Sequence, residues 1–202
     1  MVSRRVGLLG GTFDPVHYGH LLLAEMAREQ VGLDQVFFVP AGQPPHKLGE
    51  SHTDPIHRLR MLELAIAGNP AFRVSRIDLD RPGPHYTVDM LRRVGEALGP
   101  DAELFFLMGM DSLANILTWH QPARILEQCR LVVAGRPGST ADLGHLAKEL
   151  PGIEGRMIFI SMPLVEISGA DLRRRVREGL SIRYQVPEQV YLYIQAKRLY
   201  RE

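Results

Sequence analysis

The chain has 202 residues, 45% of them apolar and 23% charged, with 19 glycines and 14 prolines. That is enough to fill one core of ordinary size, read here as a single domain over residues 1–202 with 168–202 as its helical C-terminal part; wholesale disorder and collagen-like architecture are excluded. The formal net charge of +1 excludes a global field that would hold nucleic acid or an anionic membrane, so an anionic ligand has to be met by a local site.

Val6 to Leu9 is a short apolar run ending in Gly10-Gly11, a buried strand running into a tight turn. Apolar residues at helical spacing from Leu21 to Val31, closed by Gly32, predict a helix, and Val36 to Val39 a second buried strand. The connection from Ala41 to Thr53 is rich in Gly, Pro, His and Ser and long for a compact domain, which marks it as functional or mobile. Asp54 with Pro55 can open a helix through Leu64 and Ala67. Phe72 to Leu79 reads as strand, Arg81 to Pro84 as a turn, and Thr87 to Leu98 as a helix closed by Gly99-Pro100. Leu104 to Met108 is a further buried strand, ending in Gly109 before a helix start at Asp111 and Ser112; Leu131 to Ala134 and Met157 to Ile160 follow as strands. The tail holds helical patterns over Ser168 to Glu178 and Pro187 to Leu199. Near-continuous apolar strands alternating with amphipathic helices mean a doubly wound α/β domain, a parallel sheet covered on both faces.

In such a sheet ligands bind beyond the carboxyl ends of the strands. Three of those ends carry glycine with polar residues: Gly10-Gly11-Thr12, Gly109-Met110-Asp111 and Gly135-Arg136. The most informative segment runs from Gly10 to His20. If its helix begins near His17, then His17 and His20 share a face beside the positive end of the helix dipole, an anion site with two extra donors. No third ligand follows at helical spacing, so no metal site is assigned. Gly19 between the histidines weakens the first turn, which implies that something approaches closely there. Asp14, beside Pro15, reads as a turn former and Cys129 as core.

Gly10 to Leu21, Pro44 to Lys47, Tyr86-Thr87, Gly109 to Leu113, Trp119, Arg136 to Gly138 and Ile167-Ser168 with Arg173 occur in order over most of the chain. In these motifs the chain resembles the nucleotidyltransferases with H-x-G-H after the first strand, similar in fold to class I aminoacyl-tRNA synthetases. Among them it resembles the bacterial nicotinate-mononucleotide adenylyltransferases. The resemblance implies transfer of AMP from ATP to nicotinate mononucleotide, giving deamido-NAD and pyrophosphate, with Mg²⁺ bridging phosphate oxygens mostly through water. It assigns His17 and His20 to the phosphates as catalytic residues, and Gly10, Gly11, Thr12, Phe13, Gly109, Arg136, Ser168 and Arg173 to ATP. His46 and Lys47 would close over the phosphates, Asp111 would take ribose hydroxyls, Trp119 would stack on the pyridine ring, and backbone N–H groups around Tyr86 and Thr87 would meet its substituent. One residue departs from the family pattern: Ala170 stands where a serine or threonine is expected.

The attacking phosphate oxygen is already anionic, so the reaction calls for alignment and charge neutralisation rather than an acid/base pair. Competing readings are another adenylyl- or cytidylyltransferase, with phosphopantetheine or nicotinamide mononucleotide as acceptor, and a nucleotide-binding protein that has lost activity. The single cysteine excludes an intrachain disulfide and fits a reducing compartment. No apolar run approaches the roughly 18 residues of a membrane span, and the piece after Arg4-Arg5 is too short for a signal peptide, so the expected location is the cytoplasm. The expected partners are small molecules, with no nucleic acid and no membrane; homo-oligomerisation stays open.

Overall fold

The computed structural model describes residues 4–42, 52–135 and 141–201. Six strands, β1 (Arg4–Gly11), β2 (Gln35–Pro40), β3 (Phe72–Val74), β4 (Ala102–Gly109), β5 (Arg130–Ala134) and β6 (Met157–Ile160), form one sheet in the order β3-β2-β1-β4-β5-β6. Every pairing is parallel, with Leu8 opposite Phe37 on one side and Phe106 on the other. The helices are α1 (Tyr18–Val31), α2 (Pro55–Ile66), α3 (Thr87–Leu98), α4 (Met110–Ala114), α5 (Pro122–Gln128), α6 (Leu143–Glu149), α7 (Gly169–Arg177) and α8 (Glu188–Lys197).

The alternation of side chains along a strand accounts for the unbroken apolar run in β4. Leu104, Phe106 and Met108 enter a core with α3, α5 and α6, whereas Phe105 and Leu107 enter the opposite core with α1, α2, α7 and α8. Cys129 is buried in the first of these, where burial pushes its thiol up to about 12. Leu172 and Val176 of α7 and Val190 and Ile194 of α8 belong to the second. Each such side chain contributes roughly 1.5–3 kcal/mol by leaving water, so the C-terminal helices are anchored on the sheet by their own apolar faces.

Local signals act as expected at two helix starts. Asp54 accepts the Ile56 N–H at 2.8 Å ahead of Pro55, and Ser168 accepts the Asp171 N–H at 3.2 Å. The expected strand over 72–79 stops at Val74. The alternation Ile77-Asp78-Leu79-Asp80 imitates a strand, but its carboxylates pair locally, Asp80 with Arg76 at 2.7 Å and Asp78 with Arg81 at 2.8 Å, and the backbone turns on an Asp80 N–H to Arg76 O bond. Among the described residues no helix is long and apolar enough to cross a membrane.

Candidate active site

The direction of connection reverses between β1 and β4, the two central strands, and a doubly wound sheet has its crevice at such a point. A cavity of about 350 Å³ opens there, lined by Gly10, Gly11 and Thr12 at the end of β1, by Gly109 at the end of β4 and by Ser112 in the α4 that follows it. A second cleft, of about 370 Å³, is lined by Thr12, Phe13, His17, His20, Ser168 and Arg173, among others. Thr12 and His20 line both. The two clefts therefore adjoin at these side chains.

The turn between β1 and α1 is built around a buried aromatic ring. Phe13 takes a left-handed backbone (φ 51) with its side chain against Phe38 and edge-on to His20, at centroid distances of 5.8 and 5.0 Å. This conformation is costly for a residue with a side chain and is retained where the surroundings over-determine it. His17 then sits in extended backbone as the residue capping α1, and its N–H donates to Nδ1 of His20 at 3.3 Å. That bond makes Nδ1 an acceptor and leaves the proton of the neutral ring on Nε2. Burial, and secondarily the neighbouring His17, hold the His20 imidazole well below its ordinary value. The two rings stack at 3.8 Å. Gly19 has a definite role here: a Cβ on it would lie 3.1 Å from the His17 ring, so what approaches this residue closely is the imidazole itself.

The start of α1 is only partly open to an anion, because the Tyr18 N–H donates to Gln185 O at 3.1 Å. The start of α7 faces the same cleft through Ser168, Gly169 and Ala170. Ser168 caps that helix. Arg173 donates through Nη1 to the backbone carbonyl of Asp14 at 2.6 Å, so it braces the turn as well as lining the cleft.

At the other end of the first cavity stand the aromatic residues. Trp119 packs edge-on to Phe106 at 5.7 Å, and Tyr86 lies over His120 at 4.3 Å. Tyr86 and Thr87 open α3 here. Asp111 stands exposed in the first turn of α4 and is not among the lining residues. His46, Lys47 and Arg136 lie outside the described residues.

Four polar cavity residues have no role assigned from the sequence: Asp78, His85, Ser112 and His120. Asp78 and His85 were hidden by the apparent strand and turn around them, while Ser112 and His120 adjoin motifs already noted. Arg58 was also missed, although it falls in the apolar stripe of α2 with Met61 and Leu62, an unusual place for a charge. It is 1% exposed, and burial lowers its affinity for the proton. Among the described residues no group of three or more His, Cys, Asp or Glu could hold a metal ion.

The cytidylyltransferase-like family model matches residues 8–175. A relative described as a probable nicotinate-nucleotide adenylyltransferase from Thermomicrobium roseum is 51% identical, over 98% of this chain and 92% of its own. The chain belongs to the nicotinate-nucleotide adenylyltransferase family. Another member, from a Roseiflexus species (strain RS-1), is 47% identical over the whole of both chains. The fold is likewise that of a Plasmodium falciparum nicotinic acid mononucleotide adenylyltransferase complexed with NaAD, with a TM-score of 0.79 at 20% identity over 98% of this chain and 97% of that one. The H-x-G-H turn and the Trp119 end of the cavity both fall within the span of the family model, in a nicotinate-nucleotide adenylyltransferase whose two clefts meet at His20.

Proposed function

We infer that this chain transfers the adenylyl group of ATP to the phosphate of nicotinate mononucleotide, giving deamido-NAD and pyrophosphate. The observation that carries the reading is the junction at Thr12 and His20 of a cleft rich in anion donors with a cavity walled by aromatic rings. A triphosphate suits the first and a pyridine ring the second, so the reacting phosphorus belongs at the junction.

In this reading an oxygen of the mononucleotide phosphate attacks the α-phosphorus of ATP, a new P–O bond forms, and the bond from the α-phosphorus to the bridging oxygen breaks to release pyrophosphate. No enzyme nucleophile takes part. His20, with its proton on Nε2, and His17 donate to phosphate oxygens as charge builds on them, and Arg173 with the first-turn N–H groups of α7 receives the leaving pyrophosphate. Gly10, Gly11, Phe13 and Gly109 shape the floor for ATP, and Arg136 and Ser168 complete its phosphate side. Trp119 stacks on the pyridine ring, and the N–H groups at the Tyr86-Thr87 start of α3 read its carboxylate. The family resemblance gives His46 and Lys47 to the phosphates and Asp111, in the first turn of α4, to ribose.

Nucleotidyltransferases generally use a divalent metal with ATP, and Mg²⁺ is the ion proposed here. The phosphate cleft is lined by histidines, an arginine, a serine and amides, and its one carboxylate, Asp14, already accepts from Tyr200 and Thr53; this set suits phosphate oxygens better than a cation, so Mg²⁺ enters as part of the MgATP substrate. The test is pyrophosphate release from ATP and Mg²⁺ with nicotinate mononucleotide, nicotinamide mononucleotide and phosphopantetheine in parallel. Release only with nicotinate mononucleotide is expected; release only with phosphopantetheine would overturn the reading.

A further inference from the structure

Asp14 is held from three remote parts of the chain. Its carboxylate is buried, accepting the Tyr200 hydroxyl on Oδ1 at 2.6 Å and the Thr53 N–H on Oδ2 at 3.1 Å, with Nδ1 of His52 3.8 Å from Oδ2. Its backbone carbonyl receives Arg173. Two residues earlier, the carbonyl of Thr12 accepts Arg58 at 2.8 Å, and Arg58 also binds the carbonyls of Ala41 and Thr53. The segment from Thr12 to His17 belongs to no strand or helix, so its shape is imposed by these external bonds. α7 seats directly on it, since a Cβ on Gly169 would lie 2.9 Å from the Asp14 carbonyl oxygen.

Tyr200 reaches Asp14 through an unusual path. After α8 the backbone is left-handed at Arg198 (φ 53) and again at Tyr200 (φ 65), which takes the chain out of helical continuation and leaves the hydroxyl at the carboxylate. Tyr200 lines neither cleft. Burial, and next the Asp14 charge, push its ionisation upward, so the phenol stays a donor at any pH at which a carboxylate faces it.

We propose that Tyr200 is a positioning residue for adenylyl transfer, fixing through Asp14 the height of the His17 and His20 rings over the reacting phosphate. This rests on the assignment of those histidines to the phosphates. Asp14 is three residues before His17 and is joined to it only by Pro15 and Val16, so a shift of the carboxylate is passed to the histidines. Displacement of a catalytic group by about 1 Å costs up to roughly a hundredfold in rate.

The test compares Tyr200→Phe, Asp14→Asn and Tyr193→Phe in the full chain. Tyr193 offers a matched control: it lies on α8, and its hydroxyl bonds the α2 residue His57 at 2.8 Å without contact to Asp14. Tyr200→Phe is expected to lower kcat about tenfold while leaving the KM for nicotinate mononucleotide within about twofold, because the pyridine end of the cavity is untouched. Asp14→Asn is expected to fall in the same range, with the double variant no worse than the poorer single one. Tyr193→Phe should keep the parent kcat, whatever it does to the melting temperature. A normal kcat in folded Tyr200→Phe, or an equal loss in Tyr193→Phe, would overturn the proposal. His20→Ala separates the levels: if it loses a hundredfold or more in kcat while Tyr200→Phe keeps the parent kcat, the positioning role fails alone, and if it turns over normally, the phosphate assignment fails and takes the positioning role with it.

Discussion

The imidazole rings of His17 and His20 stack 3.8 Å apart and 30° from parallel, with the His17 N–H bonded to Nδ1 of His20. The His17 ring thus buttresses a His20 ring that burial holds toward its neutral form, and both line the cleft. In the proposed reaction the phosphates of ATP meet this pair.

Removing either ring should therefore damage the reaction far more than the fold. His17→Ala and His20→Ala are expected to keep the circular dichroism of the parent and to lower kcat by roughly 10²- to 10³-fold, the usual loss for one transition-state donor. Steady-state kinetics on folded variants checks this, and near-parent turnover in both would remove the phosphate assignment.

The depressed His20 value has a thermodynamic consequence. The folded protein holds the His20 proton less tightly than the unfolded chain, whose imidazole titrates near 6.5, so the unfolded state binds more protons once the pH drops below that value. The stability contribution is complete above about pH 6.5 and declines as the pH falls through it toward the folded-state value, by up to about 1.4 kcal/mol per pH unit for one group. Urea denaturation of the parent and His20→Gln between pH 7.5 and 5.5 measures it. The parent should lose more stability across that interval than the variant; parallel curves would show that His20 titrates as it does in water.

Much of this site is written locally in the sequence. The turn from Gly10 to His20 is contiguous, and the Tyr86-Thr87 and Trp119 segments each sit beside a strand or helix boundary that composition marks. What stayed hidden depends on distant pairing. Asp14 reads as a turn former because nothing near it announces that Tyr200, 186 positions later, supplies its hydrogen bond. Arg58 stands in the apolar stripe of α2, but its purpose is visible only once the carbonyls of Thr12, Ala41 and Thr53 are brought around it. Asp78 belongs to a run whose alternation fits a strand, and its ion pair with Arg81, with that of Asp80 to Arg76, goes with a chain that turns there. Local propensity cannot report such contacts, because they are settled by which elements the sheet brings together.

The seat of α7 on the Asp14 carbonyl gives a steric prediction. Gly169→Ala would set a methyl group 2.9 Å from a backbone oxygen and 3.4 Å from Nη1 of Arg173, and neither the turn nor the helix start can yield like a surface side chain. The helix must lift, weakening the Arg173 bond. A loss of about 1–3 kcal/mol in stability is expected, with a raised KM for ATP because the phosphate cleft is deformed. Ala170→Thr, one residue on, adds a hydroxyl where the family pattern has one and should leave ATP affinity unchanged or slightly better. Chemical denaturation and ATP titration of the two variants side by side distinguish a steric seat from a general intolerance at this helix start.

Preference between pyridine nucleotides tests the far end of the cavity. Tyr86 caps α3 in extended backbone with no side-chain bond to the helix N–H groups, and Tyr86 and Thr87 line the cavity. The start of a 12-residue helix thus lies at the cavity wall, where in the proposed reading its N–H donors and the positive end of its dipole meet the ring substituent. The one buried carboxylate in this wall, Asp78, is paired with Arg81 at 2.8 Å, so it does not set a bare negative charge against a second one. A nicotinate carboxylate accepts through both oxygens, whereas the amide of nicotinamide turns an NH₂ toward a donor and leaves one desolvated group unpaired. Each such mismatch costs about 1–3 kcal/mol, and two together give a preference on the order of 10²-fold or more. The kcat/KM for nicotinate mononucleotide should exceed that for nicotinamide mononucleotide by this factor. Trp119→Ala should lower both without changing their ratio, since stacking is common to the two rings while the N–H donors remain. Comparable values in the parent enzyme would refute carboxylate reading by α3, and a ratio that collapses in Trp119→Ala would move the discrimination from the helix start to the indole.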